Sequence, residues 1–211
     1  MKSLEHFALV AMIASLSIAG AAAAQAEPGV SDSRIGLSLL GGVQALNKND
    51  TAIPDHFINV PAVVNARYYV TPILAVEGDF TWMIPIQQSV DLGSTGTQDR
   101  KTPNILAYQA GLRADLPRSA WTPYVAAGAG AMTFLSNNDS DRVPQLDQSQ
   151  TMFALNFGAG TEVGISPHVN LQGDFREFAA FPASDASGFS QGGSADPIWM
   201  ERITVGIGYR F

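Results

Sequence analysis

The chain of 211 residues contains no cysteine and is short of positive charge. Without cysteine it has no disulfide framework, no thiolate metal site and no thiol nucleophile. Twelve lysine and arginine residues stand against nineteen acidic residues, and the net charge of −7 argues against a nucleic-acid partner. Beyond the N-terminal segment there is no long apolar run, which argues against a helical membrane protein.

The N-terminus has the features of a secretory signal peptide. Lys2 supplies positive charge ahead of an apolar, alanine-rich stretch over residues 7–24. Two A-x-A cleavage sites follow, ending at Ala24 and Ala26. We therefore predict a cleaved signal peptide at residues 1–26 and one mature domain at residues 27–211. A retained helical anchor is the alternative.

The last ten residues alternate between apolar and polar or small side chains. The apolar face carries Ile203, Val205, Ile207, Tyr209 and Phe211. This period of two is that of a β-strand, in which successive side chains point to opposite faces. Seven earlier segments repeat it, at about residues 34–41, 62–70, 74–84, 104–116, 122–135, 152–163 and 169–178. Such an apolar terminal strand needs a partner, and closure of a barrel against the first segment would supply one.

The predicted connections alternate in length. Those at residues 71–73, 117–121 and 166–168 are short, whereas those at about 44–59, 85–103, 136–150 and 182–199 are long and polar. All twelve prolines are expected in loops, turns or the first residues of a strand. The predicted fold class is therefore all-β: an eight-stranded, antiparallel, up-and-down transmembrane β-barrel.

The polar face of the strands predicts which side faces lipid. It is rich in glycine, asparagine, glutamine and arginine, while the lysines, Lys2, Lys48 and Lys101, all lie outside the predicted strands. Arginine suits a crowded interior because its planar fork pairs with carboxylates. We therefore expect the apolar face outside, rather than inside as in a soluble, lipocalin-like barrel. The predicted interior charge network consists of Arg34, Arg67, Glu77, Asp79, Arg113, Asp115, Glu162, Asp174, Arg176, Arg202 and Arg210.

Two details of this network follow from register. Arg67 and Glu77 should lie opposite each other across the tight turn at residues 71–73 and act as a coupled pair. Arg34 and Arg210 should share a lower interior layer with Asp115 and Glu162.

Aromatic residues near the strand ends predict a girdle at each membrane interface. The turn-side girdle would contain Tyr68, Tyr209 and Phe211. The loop-side girdle would contain Trp82, Phe134, Phe153, Phe181 and Trp199.

Three segments carry a family resemblance: residues 122–130 (TPYVAAGAG), 158–162 (GAGTE) and 205–211 (VGIGYRF). With them the mature chain resembles the small outer-membrane β-barrels of the outer membrane protein A and opacity-protein kind. The resemblance implies a place in the outer membrane of a Gram-negative bacterium, in contact with membrane lipid and lipopolysaccharide. It also implies that the terminal strand, with Tyr209 and Phe211, is the recognition signal for the barrel-assembly machinery.

The resemblance leaves function open, since one fold hosts many roles. An eight-stranded barrel is about filled by its own side chains, which argues against a general diffusion porin. Lipid A-modifying barrels need a serine with a histidine base. His6, His56 and His168 lie off the predicted strands, and the His-x-Ser signature of those enzymes is absent. We therefore expect no catalysis, no cofactor and no metal site.

The favoured function is a structural or surface-interaction role, such as adhesion or envelope integrity, for a monomer. The alternatives are a narrow ion or small-solute channel and, less favoured, a lipid A-modifying enzyme. The four long loops hold nine acidic and four basic residues, namely Asp50, Asp55, Asp91, Asp99, Asp139, Asp141, Asp147, Asp185 and Asp196 against Lys48, Arg100, Lys101 and Arg142. We expect a host, phage or envelope partner to contact these loops, with divalent cations as bridges to lipopolysaccharide. The alternative is that the loops only solvate the barrel top. Deletion of residues 184–196 should leave the barrel folded.

Overall fold

The structure, a computed structural model, describes residues 34–47, 57–91, 96–116, 121–137, 139–182 and 197–211. The described part of the chain contains eight long strands and one short hairpin. The long strands are β1 (Ile35–Asn47), β2 (Phe57–Tyr69), β3 (Leu74–Pro85), β6 (Ile105–Asp115), β7 (Trp121–Phe134), β8 (Gln150–Gly164), β9 (Val169–Phe181) and β10 (Ile198–Arg210). The hairpin consists of β4 (Gln88–Asp91) and β5 (Thr97–Arg100).

The eight long strands form a closed antiparallel barrel in the order β1-β10-β9-β8-β7-β6-β3-β2. The last strand pairs with the first, from Gly36 opposite Arg210 to Asn47 opposite Trp199. This confirms the predicted closure of the terminal strand against the first segment. Closure gives every long strand two hydrogen-bonded neighbours and so removes the sticky edges of an open sheet.

Side chains along the strands alternate between the interior and the outer wall. In β2, every second residue from Phe57 to Tyr69 is buried, and those between are exposed. Large apolar side chains dominate the exposed set, including Leu39, Leu112 and Ile207 at 61%, 56% and 59% exposure. The apolar face is therefore outside and the charged face inside, as predicted for a membrane barrel.

Short turns join the strands at one end of the barrel. After β2, the Thr71 hydroxyl oxygen accepts the backbone N–H of Leu74 at 3.0 Å. After β8, the Ser166 hydroxyl oxygen accepts the backbone N–H of Val169 at 3.1 Å in the same way. Both turns were predicted. Residues 117–120 of the third predicted turn lie outside the described residues.

The loop-side ends of six of the eight long strands, all but β6 and β7, extend beyond their predicted limits. The connection placed at residues 44–59 is shortened to 48–56, because β1 continues to Asn47 and β2 begins at Phe57. The connection placed at 85–103 contains the β4–β5 hairpin. The expectation for proline is wrong at Pro61, which lies within β2. Proline has no N–H to donate, and the ladder between β1 and β2 is interrupted there, between the pairs Gly41–Ala62 and Gln44–Asn59.

The predicted signal peptide at residues 1–26 and the loop segment 184–196 lie outside the described residues. Among the residues that the structure does describe, none forms a helix long and apolar enough to span a membrane.

Candidate functional site

The barrel interior has three levels along its axis. Because only every second residue of a strand points inward, each strand contributes one side chain per rung. Charged side chains line the turn-side and middle parts of the interior in two groups, each of which covers more than one rung, and we call these groups the lower and upper ion layers. Apolar side chains fill the loop-side end, which we call the apolar plug.

The lower ion layer is centred on the carboxylate of Glu162. Arg67 forms an ion pair with Glu162 Oε1, and Arg113 Nη2 lies 2.8 Å from the same oxygen. Arg210 Nη2 reaches Glu162 Oε2 at 3.4 Å from the rim, where its side chain is 27% exposed. Arg113 Nε also donates to Asp115 Oδ1 at 2.6 Å. One buried carboxylate therefore serves three guanidinium groups.

The upper ion layer is centred on Asp174. Its Oδ2 accepts from Arg176 Nε at 3.2 Å, and its Oδ1 accepts from Arg202 Nη2 at 3.1 Å. Arg176 Nη1 continues to Glu77 Oε1 at 2.6 Å, and Arg202 Nη1 continues to Asp79 Oδ1 at 2.9 Å. All five side chains are at most 4% exposed. Charges this deeply buried are stable only when they are paired.

Tyr124 connects the two layers. The Arg113 guanidinium carbon lies 3.5 Å from the centre of the Tyr124 ring, which is a cation–π contact. The Tyr124 hydroxyl donates to Asp174 Oδ2 at 2.8 Å and accepts from Gln172 Nε2 at 2.8 Å. Gly160 leaves room for the ring, since a Cβ atom at that position would lie 2.3 Å from the Tyr124 hydroxyl. The sequence predicted no role for Tyr124. Its signal is an aromatic side chain at an inward position near the turn end of a glycine- and alanine-rich strand.

The register predicted for Arg67 and Glu77 is confirmed, but the predicted ion pair between them is wrong. The two residues are directly opposite on β2 and β3. Their ion pairs, however, cross the barrel, from Arg67 to Glu162 on β8 and from Glu77 to Arg176 on β9. In the closed strand order, β8 is opposite β2, and β9 is opposite β3. Long side chains that converge on a narrow axis reach the far wall as readily as the neighbouring strand.

Arg34 does not join the network. It precedes β1 by one residue and is exposed at the turn end, so the expected place in the lower layer is wrong. Arg210, Asp115 and Glu162, with which it was grouped, do lie together there.

The apolar plug closes the loop end of the interior. Its fourteen buried side chains are at most 5% exposed: Leu46, Phe57, Met83, Ile105, Ala107, Met132, Phe134, Leu146, Met152, Ala154, Phe178, Ala180, Ile198 and Met200. Phe134 was predicted in the loop-side girdle, and that prediction is wrong because its even position on β7 points inward. The other predicted girdle residues are exposed on the outer wall. The signal for the plug was the same strand alternation: eight of its residues occupy inward positions inside the predicted strands, and five more lie where that alternation continues past the predicted ends.

Contacts between loops order the surface above the plug. Lys101 Nζ lies 2.9 Å from Asp141 Oδ2, and Arg142 Nε lies 2.9 Å from Asp139 Oδ2. The hydrogen bond from Lys101 lowers the pKa of the Asp141 carboxyl, with a smaller contribution from the lysine's charge. Two of the predicted acidic residues are therefore already paired with cations of the same surface. Asp50, Asp55, Asp185, Asp196 and Lys48 lie outside the described residues, as does the side chain of Asp91.

The C-terminal aromatic residues lie at the turn end on the outer wall. Tyr209 and Phe211 are 44% and 58% exposed, and their ring centres are 5.0 Å apart at an interplanar angle of 75°. His168 stacks on Tyr209 with ring centres 5.8 Å apart, and its Nδ1 donates to the Arg210 carbonyl at 2.9 Å. The signal role predicted for Tyr209 and Phe211 stays a prediction.

One pair of residues departs from the apolar outer wall. Glu177 on β9 and Glu201 on β10 are directly opposite each other at outward positions. Glu177 is also opposite Phe157 of β8, and Glu201 is opposite Ala45 of β1. Strand alternation alone would have revealed this pair. Like charges at directly opposed positions destabilise a sheet.

Comparison with known proteins agrees with this geometry. The family model for the outer membrane protein beta-barrel domain matches residues 8–211. The crystal structure of Neisserial surface protein A superposes with a TM-score of 0.59 and 14% identity, covering 85% of this chain and 98% of that one. The N-terminal β-barrel domain of OprF from Pseudomonas aeruginosa gives a TM-score of 0.51 and 13% identity, covering 84% and 96%. At such identities the likeness concerns the fold alone. None of the curated proteins matches the sequence.

Proposed function

Because the chain belongs to the outer membrane protein β-barrel domain family, we propose that it is a noncatalytic barrel with a structural or surface-interaction role. Its partner would be a lipopolysaccharide, envelope or host surface that contacts the loop end. The barrel would act as a monomer in the outer membrane of a Gram-negative bacterium.

The observation that carries this proposal is how the barrel's surfaces are used. The outer wall presents apolar side chains suited to lipid. The interior is occupied by two ion layers and the apolar plug. The loop end is the surface that remains for recognition, and loops on a rigid scaffold commonly carry it.

Within the described residues, part of the loop end has the order that a recognition surface needs. The segment between β7 and β8 is joined to the segment between β5 and β6 through backbone bonds. Lys101 N–H donates to the Asp141 carbonyl at 2.9 Å, and Val143 N–H donates to the Lys101 carbonyl at 2.9 Å. Beside them, the Ser89 hydroxyl of β4 donates to Asp99 of β5 at 2.7 Å. A preorganised surface loses less conformational freedom when a partner binds.

The absence of catalysis is part of the proposal, supported by the environment of the one histidine in the described ranges. His168 lies at the turn end, where its Nδ1 bonds a backbone carbonyl and its ring stacks on Tyr209. A serine nucleophile would need a histidine base within hydrogen-bond reach.

The test is complementation of a deletion strain with the wild-type protein or with a variant whose residues 88–100 are replaced by a short glycine–serine turn. Adhesion to host cells and entry of a hydrophobic dye through the outer membrane would be measured. We expect the variant to reach the membrane folded and yet to fail in one of these assays. The proposal is contradicted if it complements fully in both, or if overexpression of the wild type shifts the mass of lipid A.

A further inference from the structure

The apolar plug contains one residue that no strand fixes. Thirteen of its members lie on the barrel strands, whereas Leu146 comes from the connection between β7 and β8. Leu146 is nevertheless only 1% exposed. A leucine in a polar loop has little reason to point back into the barrel unless the strand residues leave an apolar space for it.

Directly beneath the plug the interior becomes polar. Gln44 lies one inward position below Leu46, opposite Arg202 on β10 and Asn59 on β2. Gln44 is fully buried, and neither atom of its side-chain amide has a hydrogen-bond partner within the protein. The hydroxyl of Thr204, the next inward residue of β10 after Arg202, is likewise buried without a partner. Buried polar groups in proteins are normally satisfied, and where protein atoms do not serve, water does.

The plug therefore separates two polar regions, the solvent above the loops and a lumen whose unpaired amide and hydroxyl groups call for water. A constriction lined by apolar side chains blocks water and ions by dewetting. Four of the plug residues are methionines, whose flexible side chains can repack around a changed neighbour.

Leu146 is held by its packing in the plug and by the backbone of its own connection. Its carbonyl accepts the N–H of Asn137 at 2.8 Å within the same connection. The connection is fastened to the neighbouring loop mainly near Arg142, whose Nη1 donates to the Thr102 carbonyl at 3.0 Å. The ion pair between Lys101 and Asp141 is partly exposed, so solvent and salt weaken it.

We propose that the apolar plug is a hydrophobic seal on a hydrated lumen and that Leu146 is the residue whose withdrawal opens this seal. Displacement of the connection between β7 and β8 withdraws Leu146 and admits water from the loop side. Whatever binds or shifts this connection then controls access to the lumen. This device does not depend on the surface role proposed above.

The test uses the natural lack of cysteine. Gln44→Cys places a single thiol beneath the seal, and a membrane-impermeant thiol reagent is added to vesicles that hold the barrel with its loops outward. Leu146→Asn, combined with Gln44→Cys, should raise the labelling rate at least tenfold. Arg142→Ala, which leaves every plug side chain intact, should also raise it. Ile86→Asn is the matched control, because Ile86 is an exposed apolar residue outside the plug.

Gln148→Cys on the exposed part of the same connection gives the rate of an unprotected thiol. Leu146→Ala serves where the asparagine variant folds poorly, and folding is followed by the shift of the band on unheated gels. Unchanged labelling in folded Leu146 and Arg142 variants would overturn the proposal. So would labelling of Gln44→Cys in the otherwise unchanged protein at the rate of Gln148→Cys, or an equal rise in the Ile86 control.

Discussion

The turn-side and loop-side halves of the interior are built on the same strands, yet they differ in chemistry. Towards the turns, Asp174 and Glu162 each bind several arginines. Towards the loops, Phe134 and Met132 are buried among apolar neighbours. Ion pairs require defined partners and angles, whereas apolar packing requires only that the total side-chain volume is kept. The polar half should therefore specify which walls face each other, while the apolar half should tolerate exchange of side chains.

The largest expected effect is removal of a shared carboxylate from the polar half. Asp174→Ala leaves Arg176 and Arg202 buried without their common acceptor, and breaking such buried pairs costs about 3–5 kcal/mol. Urea unfolding in lipid vesicles would measure it. Asp174→Asn should also be clearly destabilising, since it keeps the volume and loses the charge. If Asp174→Ala lowered the free energy of unfolding by less than an outward control such as Leu155→Ala, the upper ion layer would not be important for stability.

Shortening a side chain in the apolar half should lower the free energy of unfolding somewhat less, and the loss should depend on the side-chain volume removed. Met132→Ala should lower the free energy of unfolding by about 2–5 kcal/mol, because it leaves a cavity in the plug. Met132→Leu keeps the volume and should cost about 1.5 kcal/mol or less. The same unfolding assay applies. If Met132→Leu were as damaging as Asp174→Asn, the contrast between the halves would fail.

Gly160→Ala tests the space that the polar half needs. The added methyl group would collide with the Tyr124 ring and with the backbone carbonyl of Gly173, and overpacking of this kind costs about 1–3 kcal/mol. Gly173→Ala on β9 is the matched control, because a Cβ atom there meets nothing within 4 Å. Thermal unfolding of both variants would be compared. Equal stability would show that the Tyr124 ring is not confined.

A double-mutant cycle distinguishes pairing across the barrel from pairing along the sheet. Arg67→Ala with Glu162→Ala should show a coupling of about 0.5–3 kcal/mol, since the two groups are in direct contact. The cycle of Arg67→Ala with Glu77→Ala should show less, although these residues are opposite in register. If the coupling between Arg67 and Glu77 were larger than that between Arg67 and Glu162, the pairing predicted from register would be correct.

The smallest effect concerns the outer wall. Glu177→Leu removes a charge that is opposed by Glu201 on a lipid-facing surface, and it should stabilise the barrel by about 0.2–1 kcal/mol. Glu177→Gln separates charge from hydrophobicity. A loss of stability in both variants would mean that Glu177 makes a favourable contact at the membrane surface.

Strand alternation was sufficient to predict the eight strands, the outward apolar face and the closure of β10 on β1. It also identified which charged residues point inward, apart from Arg34 beyond the strand end. It could not identify their partners, because the contacts of Arg67 and Glu77 depend on the barrel's width and curvature rather than on register. The plug was not predicted, in part because Leu46 and Phe57 lie in a segment whose polar composition suggested a loop.

The ion pairs that cross the lumen also restrict how the chain can be divided. Arg67 and Glu162 are 95 residues apart, and Glu77 and Arg176 are 99 apart. Neither pair can form inside a single hairpin. A hairpin transplanted from this chain into another barrel would bring a charge whose counterion stayed behind on the opposite wall. Chimeras should therefore exchange facing hairpins together. In this interior the charged partners lie on opposite strands rather than on adjacent ones, so opposite strands must be transferred as a set.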